Sequence, residues 1–154
     1  MFHIRYKFID NPINEAKIKV LENVFSILHK HLKLPNEISV EFRNMGPFSY
    51  GETKLDPKYK KTIVLNDSLN TKEIIIPFIH ELIHIDQIEN KKLDMYKNGD
   101  IYWEGKKYTN DFVKRCTYKE YLQLPWEQEV TSKQKKLLEF ILEDNKDAIN
   151  GSMW

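Results

Sequence analysis

The chain has 154 residues, a length that predicts a single domain over 1–154 with one core and room for a buried site. Hydrophobic residues at 41% and charged ones at 31% argue against a disordered tail or a membrane protein, and 24 Lys and Arg against 23 Asp and Glu argue against nucleic acid as the main partner. Cys116 is the only cysteine, which excludes a disulfide-stapled scaffold.

Met1 to Asp10 mixes His3, Arg5 and Lys7 among apolar residues and lacks the apolar stretch of a signal peptide, so a cytoplasmic location is expected. From Asn14 to Leu34, apolar residues at Ile18, Leu21, Val24, Phe25, Leu28 and Leu32 predict a helix closed by Pro35. Ile38, Val40 and Phe42 alternate with Ser39 and Glu41 as in a strand with one buried face. Tyr50–Leu55 and Thr62–Leu65 read as two more strands around an Asp56-Pro57 turn, giving a small sheet behind one helix. Asn70 or Thr71 caps a helix reaching about Lys91, with Pro77 either kinking it or starting its regular part. The longest apolar run, Ile74–Ile79, falls far short of the roughly 20 residues that cross a bilayer, so no membrane span is expected. Asn98-Gly99 and Glu104-Gly105 are hairpin signals that make Met95–Thr109 a β-meander. Pro125 starts a final helix through about Asp144, with Val130, Leu137, Leu138 and Ile141 facing inward.

The chemistry-bearing motif is His80-Glu81-Leu82-Ile83-His84. Residues four apart stack on one helical face, so both imidazoles reach one ion at about 2.0–2.1 Å, the bond length zinc prefers. Glu81 stands where its carboxylate takes a proton from water, as a general base. Burying these groups among Ile76, Ile79, Leu82 and Ile83 is costly unless something satisfies them. A catalytic zinc site needs a third protein ligand. His3, His29 and His31 lie far upstream, and no histidine follows His84. On the last helix Glu127 shares the inward face with Val130, Gln134, Leu137 and Ile141, whereas Glu129 aligns with Lys133 and Lys136 on the solvated side. Glu127 is therefore the expected ligand, with Glu129, Glu120 and Asp111 as the carboxylates to test if it fails. Tyr121 and Tyr108 are the candidate donors to the developing oxyanion, and Cys116 reads as a structural thiol. Thr62–Leu65 is the candidate edge to which a substrate strand adds.

The paired histidines and the later glutamate resemble the gluzincins, zinc peptidases that join H-E-x-x-H on one helix to a glutamate from a later one. The stretch His80–Gln87, then Tyr102-Trp103-x-Gly105-Lys106-x-Tyr108 and Leu124-Pro125-Trp126-Glu127, is similar to uncharacterised phage and bacterial proteins. The resemblance implies an α+β, zincin-like minimal metallopeptidase domain. Its parts are an N-terminal helix, a small and mostly antiparallel sheet, the motif helix, a meander and a C-terminal glutamate helix. It implies a zinc-dependent endopeptidase acting on a peptide or protein substrate in a bacterial or phage-infected cell. Where the family often has Asp or Asn four residues after the ligand glutamate, this chain has Thr131, whose hydroxyl can accept an imidazole N–H. The alternative is a catalytically inactive zincin-fold binding protein, or a phage-associated structural protein, with a structural zinc. For that role the aromatic residues Tyr96, Tyr102, Trp103, Tyr108 and Trp126 offer an interface.

Overall fold

A computed structural model describes residues 2–47, 49–55 and 61–145. It has a mixed α+β architecture of five helices and two small sheets. The Asp56-Pro57 turn and the tail from Asn150 to Trp154 lie outside the described residues.

The first strand, β1 (His3–Phe8), has no counterpart in the predicted elements, although Ile4, Tyr6 and Phe8 alternate with His3, Arg5 and Lys7. Helix α1 (Glu15–Leu28) is capped by the Asn14 side chain, which accepts from the Lys17 amide. It stops a turn and a half before Leu34. The amides of Lys30 and His31 bond three residues back, to Ile27 and Leu28, which tightens the chain out of the α-helix. Strand β2 (Glu37–Arg43) buries Ile38, Val40 and Phe42 completely, as the alternation predicts.

The main sheet runs in the order β1-β2-β4-β3, with β3 at Gly51–Leu55 and β4 at Lys61–Asn66. It corrects two expectations. The sheet is not mostly antiparallel, because β1 pairs β2 and β2 pairs β4 in parallel, and only β3 runs against β4. A strand, a helix and a strand in sequence, as in β1-α1-β2, make a crossover that brings the second strand back parallel. The segment 62–65 is also no edge. It lies inside β4, between β2 and β3, with Ile63, Val64 and Leu65 fully buried, and β3 is the outer strand on that side.

Helix α2 (Ile75–Glu89) packs between α1, α5 (Pro125–Asp144) and the β3-β4 side of the sheet. Ile75, Phe78, Ile79, Leu82, Ile83 and Ile85 join the main core with α1, and α5 adds Val130, Leu137 and Ile141. Asp86, also buried, accepts from the Lys33 amide at 2.7 Å and meets Lys133 Nζ at 3.3 Å, tying α2 to the end of the α1 region and to α5. Among the described residues no helix is long and apolar enough to cross a membrane.

The meander forms as β5 (Leu93–Met95), β6 (Ile101–Trp103) and β7 (Lys106–Tyr108), antiparallel throughout. Of its two turn signals, Glu104-Gly105 makes the two-residue hairpin, both residues having positive φ (47° and 86°) as that turn demands. A small second cluster of Leu93, Leu124 and Trp126 gathers beneath this sheet. Two short helices not predicted from the sequence, α3 (Asn110–Arg115) and α4 (Tyr118–Leu122), lead into α5.

Candidate metal centre

The start of α2 is built by Asn70, whose side chain accepts from the amides of Lys72 and Glu73 while Glu73 Oε1 accepts from the Asn70 amide. That cap serves the turn before the helix, and Pro77 falls in the first turn of α2, where its missing N–H has no partner to lose. The helix is not kinked into two. Buried on most of its circumference, it leaves a polar strip of His80, Glu81 and His84 at the wall of a cleft of about 850 Å³. Ile76 is the exception to the expected apolar surroundings: 46% exposed, it lies on the rim of the same cleft.

Glu127, in the first turn of α5, enters from across the cleft and is 2% exposed. Its Oε2 lies 3.3 Å from His80 Nε2 and its Oε1 lies 3.2 Å from His84 Nε2, while the two imidazole Nε2 atoms are 3.2 Å apart. In a tetrahedral zinc shell with bonds of about 2.0–2.1 Å, neighbouring donors stand about 3.3 Å apart. The two ring nitrogens stand at about that spacing, and the Glu127 carboxylate meets each of them at it through a different oxygen, so the three groups form a triangle fit to surround one small cation. These three are the only His, Cys, Asp or Glu group of this kind among the described residues.

The orientation of His84 follows from its neighbours. Gln87 Nε2 donates to the Trp126 carbonyl at 2.9 Å, which fixes the amide so that Oε1 faces His84 Nδ1 at 2.8 Å. An acceptor facing Nδ1 requires the hydrogen there, and the neutral ring then carries its lone pair on Nε2, toward the other donors. Burial disfavours charge on Glu127, but the contacts with His80 and His84 hold its carboxyl well below the ordinary carboxylate range. Burial likewise opposes charge on His84, but its hydrogen bond to Glu127, together with the charge of the nearby Glu81, outweighs it and raises the ring above the usual histidine value. The donor set is arranged to hold positive charge, and its carboxylate is deprotonated as a ligand must be.

No family model, curated protein or solved structure matches the chain.

Glu81 points into the same cleft without joining the triangle. Thr53 of β3 donates to its Oε1 at 2.6 Å, and burial pushes the carboxyl above the ordinary range against the pull of His84, His80 and Thr53. At Gly51 of the same strand a Cβ would stand 3.0 Å from both Leu65 Cδ2 and the Val64 carbonyl oxygen, so the bare backbone lets β3 lie close on β4, while Glu81 Cγ would be at an ordinary 3.7 Å. Tyr121 also reaches the site, donating its hydroxyl to Glu127 Oε1 at 2.8 Å. Burial, followed by the Glu127 charge, raises its pKa far above the ordinary tyrosine value.

Other expected residues are elsewhere. Tyr108 packs edge-on against Trp126 and does not line the cleft. Thr131 is exposed, and its hydroxyl donates to the Glu127 carbonyl one turn back, so it does not support a histidine. Glu129 is not simply solvated. Besides the expected Lys133 it meets Lys92 at 2.9 Å and accepts from Gln87. His29 stacks on Phe2 and His31 on Phe140, while the Cys116 thiol donates to the Phe112 carbonyl. Gln87 and Thr53 were missed as site residues. Gln87 had a readable signal, a polar residue three positions after His84 and therefore on its face; Thr53 had none, because strand-to-helix proximity is not a local property.

Proposed function

We propose that this chain is a zinc-dependent endopeptidase of gluzincin type, holding zinc through His80, His84 and Glu127 and using Glu81 as general base. The observation that carries this reading is the convergence of His80 Nε2, His84 Nε2 and the Glu127 carboxylate at 3.2–3.3 Å, with a second acidic group, Glu81, in the same open cleft but outside the donor set. A purely structural site needs no such group and is closed on all sides, whereas the His80 side chain here is 33% exposed.

Bound zinc would supply Lewis acidity, making water acidic near neutral pH and polarising the peptide carbonyl. Thr53 holds Glu81 by Oε1, which leaves Oε2 to take the proton from the attacking water and return it to the departing amine nitrogen. The hydroxyl joins the acyl carbon, the C–N bond breaks, and the amine gains the hydrogen. Tyr121, which lines the cleft and donates to Glu127, is the candidate donor to the developing oxyanion, and its single hydroxyl hydrogen must leave Glu127 to serve there. An extended substrate adds along β3, whose residues Gly51, Glu52 and Thr53 line the cleft.

Metal analysis beside peptide cleavage tests this. Glu81→Gln should keep zinc and lose about 10²–10⁴-fold in turnover, while Glu127→Ala should lose zinc. A Glu81→Gln protein that still cleaves at the wild-type rate refutes the mechanism, and zinc-loaded wild type that leaves every peptide intact favours a structural metal in a binding domain.

A further inference from the structure

The cleft takes its lining from chain segments on both sides of His80 and His84. Glu73, Ile76 and Pro77 line it on the turns before His80, and Leu93, Met95 and Ile101 line it beyond the end of α2. The second group belongs to the small apolar cluster under the meander, apart from the main core. Leu93 and Met95 are two apart on β5 and share a face, and Met95 is the cross-strand partner of Ile101, so all three present one apolar surface. Trp126, 3% exposed, continues it from the residue before Glu127, while Met95 and Ile101 are only half-buried. This wall is part of the cleft and is incompletely covered by the chain itself.

The charge of the lining points the same way. Its formally charged side chains are the glutamates 52, 73, 81 and 127, and among the described residues no Lys or Arg lines the cleft. Seated against the apolar wall, a side-chain carboxylate would be desolvated with no Lys or Arg among the lining residues to receive it.

We propose that this cleft selects its peptide by one large aliphatic or aromatic side chain seated against Leu93, Met95, Ile101 and Trp126, and rejects acidic residues at that position. The inference rests on the peptidase reading for its consequence, cleavage beside an apolar residue, but the binding preference itself can be read without catalysis. Zinc-loaded Glu81→Gln protein is titrated with short acetylated, amidated peptides that differ at one central position, Leu, Phe, Ala or Asp. Leu and Phe should bind about tenfold or more tighter than Ala, with Asp weakest. Met95→Glu should erase the Leu-over-Ala difference and favour Lys at that position, with retained zinc stoichiometry and melting temperature as the check on folding. Should that variant not fold, Ile101→Thr keeps the β-branch, replaces the ethyl group with a hydroxyl and should shrink the same preference. Equal affinities across the series in Glu81→Gln overturn the inference. Apolar preference in binding with no cleavage by wild type upholds it and overturns the hydrolysis reading alone.

Discussion

Helices α2 and α5 line the cleft, as does α4 through Tyr118 and Tyr121, but the first two and the pair α3-α4 are held in opposite ways. The first two carry His80, His84 and Glu127 on side chains backed by the main core, where Phe78, Ile79, Leu82, Ile83 and Val130 are at most 1% exposed. The second pair buries no residue at all. It leaves Phe112 51%, Tyr118 79% and Leu122 36% exposed, and yet it carries Tyr121. Beyond the partial packing of Val113 and Cys116 on the small cluster, caps and side-chain bonds hold it: Thr109 accepts from the Phe112 amide, Thr117 and Glu120 form a reciprocal box, and Gln128 Nε2 donates to the Leu122 carbonyl at 2.6 Å. Local stability follows buried apolar contact, so the proposed metal donors sit on the better-packed half and the proposed oxyanion donor on the half expected to open more easily.

The largest effect belongs to the rigid half. Phe78→Ala, at a fully buried position two residues before His80, should cost about 3–5 kcal/mol in urea unfolding and weaken zinc binding with it. A cost under about 1 kcal/mol would mean that α2 is not anchored as its packing indicates. Tyr121→Phe comes next and should separate the two halves. If its hydroxyl serves the reacting oxygen, turnover falls by about 10²–10³-fold with little change in zinc affinity or melting temperature. A fall in zinc affinity with turnover preserved in the loaded protein would assign the hydroxyl to Glu127 alone. Smaller again is Gln87→Met, which removes the acceptor at His84 Nδ1 and the donor to Trp126 and should weaken zinc by about 10–100-fold in chelator competition. Unchanged affinity there would show that the His84 ring is oriented by packing alone.

The same contrast marks what could be read in the sequence. Long amphipathic helices were legible, and α5 spans Pro125–Asp144 as its periodicity and N-terminal proline indicate. The helical phase that separates Glu127 from Glu129 also puts Glu127 beside the two histidines. Strand direction was not legible from alternation, which is blind to it, although the order strand, helix, strand carried the parallel pairing once β1 was seen. Helices α3 and α4 are too short for periodicity, yet Thr117-Tyr118-Lys119-Glu120 is a capping-box pattern and marks the start of α4. The contacts of Gly51 and Thr53 with α2 arise from chain segments about 30 residues apart, and no local signal reports them.

The smallest expected effect tests the weaker half directly. Phe112, in α3, is half exposed and its ring lies tilted toward Tyr108 with centroids 6.1 Å apart, so Phe112→Ala should change global stability by no more than about 0.5 kcal/mol. Global unfolding and local opening are different quantities, and only the second is governed by the contacts within 110–122. Amide exchange should therefore be faster throughout α3 and α4 than in α2 in the wild type, and faster still in Phe112→Ala, with α2 unmoved. If instead the variant unfolds globally, or if α3 and α4 exchange as slowly as α2, this segment belongs to the same cooperative unit as the core. Tyr121 would then be as rigidly held as the three donors it faces.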